Sequence, residues 1–216
     1  MTAILFGSIS TLADTSEIQR DAFNKAFAEH GLDWVWDKEE YARLLGSNGG
    51  RDRVASYASA RGEDVDADAV HATKSLIYQE ALRSTEVAPR AGVVDTFRAA
   101  KEQGLKVGLV TTTSADNVAA LGAALADQID FATFDVVVDQ SKVSQRKPDP
   151  EAYSYALAQL DADPSDSVAI EDNLGGVESA KAAGVPVVAF PNGNTVTHDF
   201  GDTRRVESID LADLRR

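Results

Sequence analysis

Four short stretches of this 216-residue chain carry side chains from which chemistry can be built. The first is Gly7-Ser8-Ile9-Ser10-Thr11, rich in hydroxyls. The second is Thr111-Thr112-Thr113-Ser114. The third is Lys147, inside the run Arg146-Lys147-Pro148-Asp149-Pro150, and the fourth is the acidic pair Glu171–Asp172. A lysine, hydroxyls and free backbone amides are together donors for an anion such as phosphate. Carboxylates are the donors that a hard divalent cation takes. Each stretch also has a plainer reading. Thr111–Ser114 and Glu171–Asp172 can cap the helices that follow them, and Lys147 can be an ordinary loop cation.

The surrounding pattern says where these stretches must sit. Ala3–Phe6 is a short apolar run, read as a buried strand. From Thr15 to about His30 the apolar residues Ile18, Ala22, Phe23, Ala26 and Phe27 recur at helical spacing, with Asp14 or Ser16 as cap. A second helix follows Asp37, residues 46–50 (Gly-Ser-Asn-Gly-Gly) read as a turn, and helical patterning continues through Arg51–Ala60 and Ala67–Leu82. Residues 15–86 therefore read as all helical. Beyond them the chain alternates. Helices are expected at Gly92–Gln103, Ala115–Ala126, Pro150–Leu160 and Leu174–Ala183. Strands are expected at Lys106–Val110, Asp135–Val138, Ser167–Ile170 and Val185–Phe190. This is the pattern of a parallel sheet covered on both faces. One strand precedes the helical block and the others follow it, so the block is an insert after the first strand. The expected organisation is an α/β, Rossmann-like core from residues 1–14 and 87–216, with an all-α cap domain at 15–86. Ligands of open parallel sheets bind at the carboxyl ends of the strands, where all four stretches fall.

Composition narrows the function. The formal net charge is −14, with 23 Asp and 12 Glu against 8 Lys and 13 Arg. Nucleic-acid binding without sequence preference needs a net basic footprint, and anionic membranes repel such a chain. No apolar run approaches the ~20 residues of a bilayer span, and the N-terminus lacks a secretory signal, so a cytoplasmic location is expected. Without cysteine there is no disulfide and no thiolate metal site. His30, His71 and His198 are too scattered for a histidine-based zinc site and read as ordinary residues. Trp34 and Trp36 read as packing residues.

The stretches Ala3–Thr15, Lys106–Val118, Val143–Tyr153 and Val168–Gly184, in this order, resemble the haloacid dehalogenase superfamily. The similarity is strongest to members with a helical cap, such as the β-phosphoglucomutase and xylulose-1,5-bisphosphate phosphatase-like proteins. The resemblance implies a phosphoryl site in which the first strand ends in Asp-x-Asp-Gly-Thr. The first Asp attacks phosphorus and binds magnesium, and the second is the general acid and base. Here those positions are Gly7, Ile9 and Ser10, and only Thr11 agrees. The remaining assignments stand: Thr111 and the amide of Thr112 on phosphate, Lys147 paired with phosphate, and Glu171 and Asp172 on magnesium. In the cap, Gln19 replaces a frequent histidine, and Gly49, Gly50 and Arg51 resemble the substrate loop.

Covalent phosphoryl transfer needs the carboxylate and the proton donor that positions 7 and 9 lack. The expected function is a phosphate-ligand-binding or regulatory pseudoenzyme with a sugar phosphate or a protein as partner. The alternatives are a sugar-phosphate phosphatase or phosphoglucomutase-like hydrolase with an altered mechanism, and an interaction protein with a relic pocket. Magnesium binding is expected to be weakened. The truncated position 7 is expected to leave room for a water or a phosphate oxygen.

Overall fold

The unbroken apolar run Ala3–Phe6 forms strand β1, buried along its whole length. This computed structural model describes residues 1–7, 9–46 and 49–215. β2 is Lys106–Val110, β3 Val136–Val138, β4 Ser167–Glu171 and β5 Val187–Ala189. They form one parallel sheet in the order β3-β2-β1-β4-β5, with β1 at its centre. Phe6 lies opposite both Leu109 and Ile170, so the chain leaves the sheet near Gly7, Thr111 and Glu171 along one carboxyl edge. The fold places the candidate residues together because a parallel register aligns strand ends.

Among the described residues the α-helices are α1 (Ile9–Leu12), α2 (Ser16–Glu29), α3 (Lys38–Leu44), α4 (Gly50–Arg61), α5 (Ala67–Ser84), α6 (Val93–Glu102), α7 (Ala115–Ala124), α8 (Glu151–Leu160), α9 (Leu174–Ala182) and α10 (Leu211–Leu214). Alternate residues of β1 serve two cores, as the strand period of two requires. Ile4 and Phe6 pack with α6, α7 and α10 on one face, while Ala3 and Leu5 pack with α8 and α9 on the other. Helices α2–α5 carry their own aromatic cluster, in which Trp36 stands edge-on to Phe27 with centroids 4.6 Å apart. Trp34 and Trp36 are both buried in it. α5 reaches both regions: Val70 belongs to the aromatic cluster, and Tyr78 and Leu82 to the sheet's core.

The elements depart from expectation in small ways. The stretch after β1 coils into α1, closed by a bond from the Ala13 amide to the Ile9 carbonyl, because Ile9 and Leu12 find burial there. Four residues carry no periodic signal, so nothing in the sequence announces this turn. Neither Asp14 nor Ser16 caps α2 through its side chain; Asp14 instead accepts from the Ser16 amide at 3.1 Å. The strands at 136–138 and 187–189 are shorter than expected, and α7 ends two residues early. Of the expected turn at 46–50, Ser47 and Asn48 lie outside the described residues, as does Ser8.

Candidate functional site

A cavity of about 200 Å³ opens between the carboxyl edge of the sheet and helices α2, α4 and α5. The sheet side presents Ile9, Ser10, Thr111–Ser114 and Asp172 to it. The hydroxyls partly serve their own loop. Thr111 Oγ1 accepts from the Thr113 amide at 3.2 Å, and Ser114 caps α7 by accepting from the Asn117 amide at 3.3 Å. Capping and pocket lining thus coexist in these residues.

Behind this wall lies a closed ionic corner. Lys147 Nζ donates to the Gly7 carbonyl, to the Val110 carbonyl at 2.6 Å and to Glu171 Oε1 at 2.6 Å. These three bonds use all the donors an ammonium has. The Tyr153 hydroxyl donates to the same Glu171 oxygen at 2.7 Å, and the Tyr153 ring lies 4.6 Å beneath the ammonium. Glu171 is 0% exposed, and its Oε2 has no hydrogen-bond partner among the described residues. Burial pushes the Glu171 carboxyl above its ordinary pKa, while Lys147 pulls it the other way.

Two glycines hold this carboxylate between them. A Cβ on Gly7 would fall on the carboxyl group of Glu171 and 2.5 Å from the Tyr153 hydroxyl; a Cβ on Gly176 would fall on the same carboxyl. The room expected at position 7 for water or a phosphate oxygen is therefore absent. Glu171 fills it, because removing one carboxylate lets the neighbouring one satisfy Lys147. Gly7, Lys147 and Glu171 do not line the cavity, and Lys147 has no donor left for a phosphate.

Asp172 is the one carboxylate lining the cavity among the described residues. It is already bonded: Oδ1 accepts from Thr11 Oγ1 at 3.3 Å and from Asn173 Nδ2 at 3.2 Å, and Oδ2 from Asn192 Nδ2 at 2.7 Å. The Ile9 carbonyl beside it accepts within α1, from the Ala13 amide. No three His, Asp or Glu side chains converge on a metal position among the described residues. Magnesium takes near-octahedral oxygen ligation with one or two carboxylates. The residues present do not fit it, because Glu171 turns away and positions 7 and 9 offer no side-chain ligand.

The helical side of the cavity is cationic. Arg53 on α4 is buried; its Nε donates to the Leu44 carbonyl at 2.9 Å and its guanidinium lies 5.9 Å from the Tyr41 ring centre. Lys74 on α5 donates to Gln19 Oε1 at 3.2 Å and sits 4.9 Å from the ring centres of both Phe23 and Tyr78. Burial, aided by Arg53, brings the Lys74 pKa down to about 7. Burial, with Lys74 and Arg146, brings His71 down to about 4, so its imidazole is neutral at pH 7.

Gln19, Gly49 and Gly50 line the cavity as the sequence suggested, but Arg51 does not. Arg51 points outward to Asp52 at 3.0 Å and Asp68 at 3.1 Å. Residues two apart on a helix face different ways, so Arg53 takes the inner position. Arg53, His71, Lys74 and Arg146 escaped the sequence reading. Lys74 had a signal: it interrupts the apolar stripe Val70, Lys74, Tyr78, Leu82 at four-residue spacing, where a lysine has no ordinary place. His71 is not an ordinary surface histidine either, since it lines the cavity, whereas His30 bonds Thr73 and His198 bonds the Ala42 carbonyl.

Residues 6–190 match the model of the haloacid dehalogenase-like hydrolases. The chain is 37% identical to protein CbbY of Cereibacter sphaeroides over 207 residues, covering 94% of this chain and 90% of that protein. The crystal structure of CbbY from Rhodobacter sphaeroides in complex with phosphate superposes with a TM-score of 0.92 at 36% identity, covering 100% of both chains. A mutant of that protein in complex with xylulose-(1,5)bisphosphate gives a TM-score of 0.89 at 36% identity, covering 96% of this chain and 94% of that one.

Proposed function

Because this chain belongs to the haloacid dehalogenase-like hydrolase family, we propose that its cavity binds a phosphorylated small molecule of the sugar-phosphate class. We further propose that it does so without the family's covalent aspartyl route. One observation carries the reading. In a protein of net charge −14, the cavity is lined, among the described residues, by Arg53, Lys74 and Arg146 and by a single carboxylate, Asp172. Charge-assisted hydrogen bonds from such cations are the strong contacts for phosphate oxygens. Thr111 and Thr112 add donors from the sheet edge. In this reading residues 1–14 and 87–216 act as the core and 15–86 as the cap that closes on the ligand.

Three residues support the reading that binding does not lead to the usual chemistry. Gly7 offers no nucleophile and Ile9 no proton. The carboxylate nearest the vacated position, Glu171, is sealed from the cavity and committed to Lys147 and Tyr153.

A second reading, hydrolysis by an altered mechanism, has the weight of the relatives behind it, since the matching family is one of hydrolases. The observation in its favour is Ser10. Its hydroxyl lines the cavity and accepts from Gln19 Nε2 at 3.3 Å, while the other end of that amide accepts from Lys74. An amide orients a hydroxyl but does not take its proton, so Gln19 is not the base this nucleophile needs.

The test pairs calorimetry with a phosphate-release assay on a panel of sugar phosphates, for the native chain and for Gly7→Asp/Ile9→Asp/Ser10→Gly. Binding by the native chain without release, and release by the revertant, supports the reading. Release by the native chain establishes the second reading. Absence of any affinity leaves the cavity a relic.

A further inference from the structure

Lys74 lies in the cavity wall with fewer partners than a buried ammonium needs. It is 4% exposed, yet among the described residues no carboxylate lies within 4.0 Å of its nitrogen. Its hydrogen bond goes to a neutral amide oxygen, Gln19 Oε1. The rest of its surroundings are the faces of Phe23 and Tyr78. The charged groups and the histidine that line the same cavity are Arg53 from α4, His71 from its own helix, Arg146 from the loop before α8, and Asp172. Two of these four are cations and His71 is neutral at pH 7.

Desolvation beside another cation is the environment that turns a lysine from a point charge into an amine. Lys147, by contrast, is buried with three acceptors, one of them the Glu171 carboxylate. We propose that Lys74 is an amine nucleophile that condenses reversibly with the carbonyl group of a phosphorylated aldehyde or ketone bound in this cavity. The inference rests on the phosphate-binding reading above and adds the carbonyl to the ligand's chemical class.

The step balances without a co-reactant. The nitrogen lone pair forms the C–N bond, and the carbonyl π pair moves to oxygen, which takes one N–H proton. The nitrogen then forms the C=N bond as that oxygen leaves, carrying the second N–H proton, as water. The product is an imine, and water reverses it. The cations Arg53 and Arg146 hold the phosphate meanwhile. With its pKa brought to about 7 by burial and by Arg53, about half of the Lys74 side chain is the free amine at neutral pH.

The test is reductive trapping on the whole chain. The protein is incubated with glyceraldehyde 3-phosphate and sodium cyanoborohydride, digested, and mapped by mass spectrometry across its 8 lysines. The expected result is a reduced adduct confined to Lys74, lost in Lys74→Arg and suppressed by excess glycerol 3-phosphate, which has the phosphate but no carbonyl. The labelling rate should rise about tenfold between pH 6 and pH 8 and then level off, whereas surface lysines keep rising toward pH 10. Glycerol 3-phosphate bound in calorimetry with no adduct at Lys74 overturns this inference and leaves the phosphate reading standing. An adduct at Lys74 that glyceraldehyde forms equally well, unprotected by glycerol 3-phosphate, supports the amine and overturns the phosphate reading. Label spread over all lysines with no preference overturns the inference as well.

Discussion

The two lysines buried at this site sit in opposite electrical surroundings. Lys147, at the sheet edge, spends its three donors on two carbonyls and Glu171. Lys74, on the helical side, has one amide oxygen and two ring faces. The first region has settled its charges internally, and the second leaves its charge for something else to meet. In the reading proposed above, the first region is the chemistry end, closed by Glu171, and the second is the end that recognises the ligand.

The largest expected effect breaks that closure. Restoring carboxylates with Gly7→Asp/Ile9→Asp/Ser10→Gly returns a nucleophile and a proton donor, and the proton donor alone is worth about 10²–10⁴-fold in rate. Magnesium-dependent phosphate release from sugar phosphates measures it, and a silent revertant would show that the closed corner does not reopen. Next in size is stability. Glu171→Gln or Lys147→Met leaves one member of a buried pair uncompensated, an expected loss of about 3–5 kcal/mol in urea unfolding. Lys74→Met removes an unpaired buried cation and should be neutral or stabilising at pH 6. Equal losses for the two lysines would erase the contrast.

Ligand binding sharpens it further. Arg53→Met should weaken sugar-phosphate binding by about 1.5–3 kcal/mol, the worth of a hydrogen bond to a charged group, whereas Arg51→Ala should change it little. Calorimetry on both variants decides between the inner and outer arginine. The smallest effect is on pH. His71 has a folded-state pKa of about 4, below its ordinary 6.5, so the unfolded chain binds more protons between those values. Its contribution to stability is present above pH 6.5 and is lost as the pH falls toward 4. His71→Gln should flatten the melting temperature over that window by the equivalent of about 1–2 kcal/mol.

The sheet was legible because each strand is a short apolar run and two of the intervening helices, α6 and α9, have clear stops at Gly104 and Gly184. The strand-end residues were legible because a parallel register aligns them. The cationic wall was not, since a lone Arg53 or Lys74 on a helix carries no local mark of facing a cavity, apart from the interrupted stripe on α5. The fate of Glu171 was beyond any sequence pattern. Its side chain packs between Gly7 and Gly176, which are far apart in sequence, and only packing in three dimensions brings them together.

That placement between Gly7 and Gly176 also governs how this sequence can change. A side chain returning at position 7 meets Glu171 before it meets a substrate, and Glu171 cannot leave without stripping Lys147 of its counter-charge. A carboxylate regained there alone would bury two acids against one ammonium, and Ile9 would still offer no proton. The intermediate steps toward an aspartyl nucleophile therefore lower stability before any of them adds rate. In the reading proposed above, the path works as a ratchet, along which ligand-facing residues are free to drift toward new partners while the aspartyl chemistry stays locked behind them.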